Sequence, residues 1–198
     1  MKKLLLSGVA AALLLQVTSC INTEREVGNS KNADKVYSPP TESNRLTTRS
    51  ILNTVRTTHY FSSAKTKDNF ILQLQGAKIL NAQARFIILT STGDTLRKEM
   101  IPAVALIEAR NLEDPQAATT RAKEIAILQA MNAFFADDRF TQPAVPRAAT
   151  QPANVDAENW RAVKADTKAV GFDYTSNTGR ERRIAYAKTL GKAVVIAE

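Results

Sequence analysis

The apolar residues of this 198-residue chain follow a strand period in two sections, with a helix period between them. In the first section, Asn69–Gln75 alternates polar and apolar side chains, and Phe86–Leu89 is apolar at every position. Alternation predicts a half-buried strand, and a continuous apolar run predicts a strand covered on both faces. Gly93 marks a turn after the second run, so we expect a meander of three strands within about residues 57–101.

The helix period occupies the middle of the chain. Asp114 and Pro115 are the residue types preferred at an N-cap and at the first helical position. We therefore predict a helix over about residues 115–136, and a shorter one from Asp156 to about Ala165. In the longer segment Ile125, Leu128, Met131 and Phe135 recur at steps of three and four, which is the stripe of an amphipathic helix, and Ile127 and Phe134 widen it.

The strand period returns near the C-terminus. Val170, Phe172 and Tyr174 alternate with other residues, and a turn follows at Ser176–Gly179. Ala193–Ile196 then reads as a last strand. The terminal strand is expected to pair within the same sheet as the earlier ones.

Together these patterns predict an α+β fold. One antiparallel sheet is expected from the two β sections, about 57–101 and 168–197, with the 115–136 helix covering one of its faces. Three prolines among Ala, Thr and Gln predict a loop at 141–154. The folded domain is expected to span residues 57–198.

The N-terminal residues have the layout of a secretory signal sequence. Lys2 and Lys3 supply positive charge, and an apolar run of about a dozen residues follows from Leu4 to Leu15. Such a run is too short to cross the apolar core of a membrane, which takes about 20 helical residues. We therefore expect residues 1–19 to be removed on export.

Val17-Thr18-Ser19-Cys20 resembles the lipobox of bacterial lipoproteins, with an aliphatic residue and two small or polar residues before the cysteine. The resemblance covers residues 1–20 and implies cleavage before Cys20 and acyl chains on its sulfur and amine. Cys20 is the only cysteine, so no internal disulfide can form. An ordinary cleaved signal with an incidental cysteine, or a buried thiol in a cytosolic domain, are the alternatives.

The rest of the chain is similar in outline to small envelope lipoproteins of Gram-negative bacteria, without matching a characterised family. Enteric lipoproteins retained at the inner membrane carry Asp after the modified cysteine, whereas this chain has Ile21. The resemblance therefore favours the outer membrane. Residues 20–56 are polar and lack an apolar period, so we expect a flexible tether between the lipid and the domain.

The formal net charge is +8, which by itself is compatible with nucleic-acid binding. Export makes nucleic acid an unsuitable partner. We expect the membrane as one partner, through the acyl chains, and an envelope protein or an anionic cell-wall polymer or lipid as another. The alternative is that the excess charge only keeps the domain soluble.

Few residues have the spacing of a catalytic or metal site. His59 is the only histidine, so a Ser-His-Asp arrangement must include it. Its position at a strand start favours an exposed or hydrogen-bonded strand residue. The sequence has no cysteine pair, no histidine pair and no calcium loop, so we expect no metal and no cofactor, and we assign no catalytic residue.

The one concentration of basic residues is Arg180 to Arg183. Strand alternation places Arg180 and Arg182 on the side of Tyr186, and Arg183 on the other side. One interpretation is a sheet edge that charge protects from aggregation. The other is a contact surface for an acidic ligand or partner, flanked by Tyr174 and Tyr186.

These expectations describe a membrane-anchored envelope lipoprotein whose domain is a non-enzymatic binding or assembly module. The alternative is a hydrolase, or an inhibitor of one, whose site is dispersed in the sequence and includes His59. A third possibility is a domain that packs into a larger complex through an exposed apolar surface.

Overall fold

The first β section folds into four antiparallel strands, one more than the sequence predicts. A computed structural model describes residues 46–107, 112 and 118–198, and all of them belong to one unit, Asn44–Glu198. The predicted signal sequence, Cys20 and residues 21–45 of the predicted tether lie outside the described residues. The strands of the first sheet pair in chain order: β1 (Ile51–His59), β2 (Asp68–Gln75), β3 (Gln83–Leu89) and β4 (Thr95–Pro102).

The additional strand, β1, begins six residues before the predicted start of the domain. Its threonines and Val55 are β-branched and favour extended backbone. Val55 lies opposite Leu72 of β2, so this polar segment buries one face against the sheet. Residues 51–56 therefore belong to the folded unit and not to a tether.

The predicted alternation in β2 and the apolar run in β3 are confirmed. Phe70, Leu72 and Leu74 are fully buried, while the residues between them reach solvent to different extents. In β3, Phe86 and Ile88 point to the same core, and Ile87 is also buried although it points to the opposite face.

The C-terminal section forms a second antiparallel sheet, so the prediction of one sheet is wrong. Hydrophobic period indicates that a segment is a strand, but it does not indicate which strands pair. Tight turns at Gly179 and Gly191, with φ of 78° and 64°, close this section on itself. Its strands also pair in chain order: β5 (Phe140–Thr141), β6 (Gly171–Thr175), β7 (Glu181–Ala187) and β8 (Lys192–Ala197).

The first helix is shorter than predicted. Helix α1 (Thr120–Ala133) begins where the Thr119 hydroxyl accepts a hydrogen bond from the Ala122 amide at 3.1 Å. Asp114 and Pro115, the predicted start, lie outside the described residues. The helix packs against short 3₁₀ turns at Ile79–Asn81 and Ala103–Leu106, and a long helix laid over the sheet is not observed.

The buried face of α1 also differs from the predicted stripe. Ala126, Ile127 and Met131 are buried, whereas Ile125 is 41% exposed. Phe134 and Phe135 follow the helix and enter the core. The buried face of the helix is therefore centred on Ile127 and Met131. The packing of these side chains in the core determines which face is buried, and the sequence spacing alone does not.

The second helix is confirmed. Helix α2 (Ala157–Lys164) is capped by Asp156, whose carboxylate accepts a hydrogen bond from the Asn159 amide at 2.9 Å. Trp160 and Val163 are buried, as their spacing predicts. The proline-rich segment contains no helix or strand after Thr141, the last residue of β5, but it buries Ala144 and Val145 and so is part of the folded unit.

Two apolar clusters divide the unit into layers. The larger cluster lies between the two sheets and joins Phe70 and Phe86 to Phe172 and Tyr174, with ring centroids about 5–6 Å apart. The smaller cluster lies on the other face of the second sheet, where Trp160 and other residues of α2 pack on it. The second sheet is therefore covered on both faces.

Candidate functional site

Glu99 of β4 joins the two sheets through its carboxylate. Its Oε2 atom accepts hydrogen bonds from Arg97 Nη2 at 2.6 Å and from the Tyr174 hydroxyl at 2.7 Å. Its Oε1 atom accepts one from Arg182 Nη1 at 2.8 Å, and Arg182 Nη2 donates to Glu198 at 2.7 Å. Strand alternation places Arg97 and Glu99 on the core side of β4, so this network lies at the interface of the sheets.

The network is charged and largely buried. Burial by itself raises the pKa of Glu99, but hydrogen bonds from Tyr174 and Arg97 and the charge of Arg182 outweigh it, so that pKa lies below its ordinary value. Burial, together with the Glu99 carboxylate, raises the pKa of Tyr174 to about 12. The side chains of Glu99 and Arg182 are only 10% and 13% exposed. The network therefore connects the sheets, and within the described residues its Arg97 Nε and Arg182 Nε atoms are buried without a hydrogen-bond partner.

The basic residues of β7 do not lie at a sheet edge, which corrects one of the two interpretations. β7 pairs with β6 on one side and with β8 on the other. Arg182 points into the network, whereas Arg183 lies on the opposite face and donates two hydrogen bonds to Asp173, both at 2.7 Å. These arginines are held by ion pairs, which is how a protein accommodates partly buried charge.

The five candidate contact residues do not form one surface, although Tyr174 and Arg182 are cross-strand partners that both donate to Glu99. Tyr174 is fully buried and Arg182 is largely so, whereas Arg180 lies exposed in the turn before β7. Arg183 lies on the face of β7 opposite to Arg182. Of the five, Tyr186 is the one that lines a cleft.

This cleft, of about 260 Å³, opens between the loop after β1 and the second sheet. We call it the Tyr186 cleft. Aromatic and polar groups line it together, which is typical of a ligand site. Its aromatic lining comes from Tyr60, Phe61 and Tyr186. Its polar lining comes from six side chains: His59, Ser63, Gln142, Asp166, Lys168 and Lys188.

One wall is fixed by a buried carboxylate. Asp68 is 1% exposed, and its two oxygens accept hydrogen bonds from the Ser62 amide at 2.6 Å and the Ser62 hydroxyl at 2.8 Å. Phe61 packs edge-on against Phe70 with ring centroids 5.5 Å apart. The loop after β1 is therefore held in one conformation, so the cleft is preformed.

The opposite wall is fixed by polar contacts. Gln142 Nε2 donates to the Lys168 carbonyl at 2.8 Å, and Lys188 Nζ lies 2.7 Å from an Asp166 oxygen. The hydrogen bond from Lys188 lowers the pKa of Asp166, so this carboxylate is ionised near neutral pH. Lys188 is thus neutralised by Asp166. The Lys168 ammonium has no ion-pair partner within the described part of the chain.

His59 contributes an aromatic surface more than a reactive group. Its ring stacks on Phe140 with centroids 4.0 Å apart, and its Nδ1 lies 3.2 Å from the Tyr60 carbonyl. A catalytic histidine is normally oriented by a carboxylate. Among the described residues no such partner contacts His59, and no group of three His, Cys, Asp or Glu side chains is placed to hold a metal.

Comparison of the whole chain with protein family models, with curated proteins and with solved structures found no match. Within residues 46–107, 112 and 118–198, no helix is long and apolar enough to cross a membrane. The interpretation of the Tyr186 cleft as a ligand site therefore rests on its lining residues and their contacts.

Most of the cleft was not predictable from the sequence. Gln142, Asp166 and Lys188 lie in three separate loops or turns, and none has a distinctive spacing relative to the others. The signal that exists is local: Asp166 and Lys168 follow α2 directly, at a position where chain turns carry polar side chains. Only the pairing of the strands brings these segments beside His59.

Proposed function

We propose that this chain is a lipid-anchored lipoprotein of the cell envelope, at the outer membrane, whose folded unit is a non-enzymatic binding module. One observation carries the proposal. The only cysteine, Cys20, follows Val17-Thr18-Ser19 and an apolar run too short to span a membrane. The folded unit then begins some thirty residues later, at β1.

Acylation would hold the protein at the membrane. Each buried methylene contributes about 0.8 kcal/mol, so one chain anchors weakly and two or more anchor stably. A flexible coil of some thirty residues between Cys20 and Ile51 spans about 27–33 Å on average. The folded unit would therefore work close to the surface that carries the anchor.

The Tyr186 cleft supports binding as the activity of the folded unit. Lys168 offers a positive charge without an ion-pair partner in the described residues, and Gln142 and Asp166 offer hydrogen-bonding groups. Tyr186 and His59 offer apolar ring surface. This combination suits a ligand with a carboxylate or phosphate beside a compact apolar part. We propose an anionic component of the cell wall as that ligand.

Lys168→Glu is expected to weaken binding of soluble cell-wall fragments about tenfold or more. A charge pair near a protein surface is worth about 1–4 kcal/mol at 4 Å, and each 1.4 kcal/mol is about a tenfold change in affinity. The mature chain, first used to capture fragments from an envelope extract, is titrated with them by calorimetry.

Lys78→Glu is the matched control, because Lys78 is an exposed lysine that follows β2, at the opposite end of that strand from the loop that lines the cleft. It is expected to leave the affinity within about twofold, since a distant surface charge is largely screened by salt. Equal affinities for the wild type and both variants would rule out the cleft as the binding site, and capture of no fragment would count against the binding module itself.

A hydrolase, or a hydrolase inhibitor, is the second candidate, because His59 lies in a polar cleft and is not isolated on the surface. Incubating the captured fragments with the protein discriminates between a binding module and a hydrolase. A binding module returns them unchanged, whereas a hydrolase shortens them and loses that activity in His59→Gln. The length of the fragments is measured by mass spectrometry before and after incubation.

A further inference from the structure

The positive charge of the folded unit is concentrated in its first three strands and their loops. Residues 46–93 contain six Lys or Arg side chains and one carboxylate, Asp68, which is buried. Residues 94–198 contain fifteen Lys or Arg and fourteen Asp or Glu, which nearly cancel. The electrostatic field that a charged partner meets therefore comes mostly from the first sheet and its loops.

Two of these six cations, Arg56 and Arg85, lie on the face of the first sheet that points away from the core. We call it the outer face, formed by the side chains of β1–β4 that alternate with the buried ones. Arg56, Arg85 and Lys98 lie on it, and no Asp or Glu does. Within the described residues none of the three forms an ion pair. Thr, Asn and Gln side chains supply most of the other polar positions.

The cations border an apolar strip. Strand register aligns Arg56, Ile71, Ile87 and Lys98 in one row across the four strands. The two isoleucines are central and the two cations stand on the edge strands. In the next row Arg85 lies beside Met100, which is 42% exposed. Cations therefore stand beside apolar side chains on this face, of which Met100 is exposed, Ile71 is partly buried and Ile87 is buried. Cations beside apolar groups suit the boundary between lipid head groups and acyl chains.

We infer that the outer face rests on an anionic lipid surface, that of the membrane in which the Cys20 anchor is inserted. The inference rests on the proposed lipid anchor. The chain that comes from Cys20 enters the fold at β1, an edge strand of this same sheet, so the proposed anchor is attached to the sheet that carries these cations. Basic side chains near an anionic leaflet each add to the attraction, which decays within about 8–10 Å at physiological salt.

A single cysteine on the outer face tests this contact. The lipidated mature chain carrying Thr58→Cys is inserted in vesicles of phosphatidylcholine, with or without phosphatidylglycerol, and modified by a water-soluble maleimide. Thr58 is exposed on β1, and the acylated Cys20 offers no competing thiol. With phosphatidylglycerol we expect modification to slow about tenfold at low salt and to recover in 1 M salt, where the Debye length is about 3 Å.

Two controls are matched to this variant. Thr150→Cys, an exposed threonine in the loop before α2, is expected to react at the same rate on both kinds of vesicle. Adding Arg56→Gln, Arg85→Gln and Lys98→Gln to Thr58→Cys is expected to abolish the slowing. Thr58→Cys combined instead with Arg147→Gln, Arg161→Gln and Lys192→Gln loses the same charge at three exposed cations elsewhere. In that variant we expect the slowing of modification to remain.

The outcomes separate the two proposals. A chain that floats with the vesicles but reacts equally fast at Thr58→Cys on both lipids overturns the lipid contact alone. Protection on both lipids at every salt concentration also overturns it, because it indicates that a second protein copy covers the face. A mature chain that carries no lipid and does not float overturns the anchor, and the lipid contact with it.

Discussion

Phe172→Ala is expected to lower the free energy of unfolding by about 3–5 kcal/mol, the range measured when a large aromatic side chain is removed from a core. Phe172 is fully buried on β6 and contacts rings from both sheets. Its ring centroid lies 5.4 Å from that of Phe70, 5.7 Å from Phe86 and 4.7 Å from Phe140. Truncation would leave a cavity in the layer that joins the sheets. Urea denaturation followed by circular dichroism measures the loss.

Tyr60→Ala is the control for this substitution, since Tyr60 is an aromatic residue that is 45% exposed. Its only aromatic or cationic contact in the described residues is with Lys67, at 5.4 Å from the ring centroid. We expect a loss within about 1 kcal/mol. A loss for Phe172→Ala no larger than that of Tyr60→Ala would contradict the packing of the two sheets on one aromatic core.

Glu99→Gln is expected to cost about 3 kcal/mol at neutral pH. The amide keeps the shape of the side chain but leaves the guanidinium groups of Arg97 and Arg182 near the core without their shared carboxylate. Breaking a buried ion pair from one side costs about 3–5 kcal/mol, and we take the lower end because the Arg97 side chain is 23% exposed. Denaturation of both proteins at pH 7 gives the difference.

The same substitution should have a characteristic pH dependence. The pKa of Glu99 is lower in the folded state than in the unfolded chain, so its stabilisation is present above the unfolded pKa of about 4.3 and is lost as pH falls through the folded value. The difference between wild type and Glu99→Gln should therefore narrow below about pH 4. Glu124→Gln removes a carboxylate that is 24% exposed and lies 3.9 Å from the exposed Arg121, and it is expected to cost less than about 0.5 kcal/mol. Equal losses for the two variants would show that the Glu99 network does not join the sheets.

The local elements were largely predictable because each rests on a few neighbouring residues. Alternation identified β2, and the Asp156 cap with the spacing of Trp160 and Val163 identified α2. The helix α1 was predicted at the right place but with the wrong bounds. Thr119 caps it, and nothing local distinguishes that threonine from Asp114 as a start.

The arrangement of the strands was not predictable from the sequence, because it depends on contacts between distant residues. The hydrophobic period of the strands is the same whether they form one sheet or two. The core between the two sheets depends on contacts between distant residues, such as that of Phe86 with Tyr174. Arg182 illustrates the same point. Strand alternation placed Arg182 on the side of Tyr186, but its ion-pair partner Glu99 lies 83 residues earlier and could not be identified from the spacing. The Tyr186 cleft likewise combines segments that only the fold brings together.

The anchor is tested by the intact mass of the protein purified from the membrane fraction of its host. We expect a polypeptide that begins at Cys20 and is heavier than its sequence by acyl groups, because the lipobox-like segment ends at that residue. The Cys20→Ala chain is expected to lack this added mass and to gain a soluble fraction. A wild-type protein that begins elsewhere, or that begins at Cys20 without added mass, would contradict the lipid anchor.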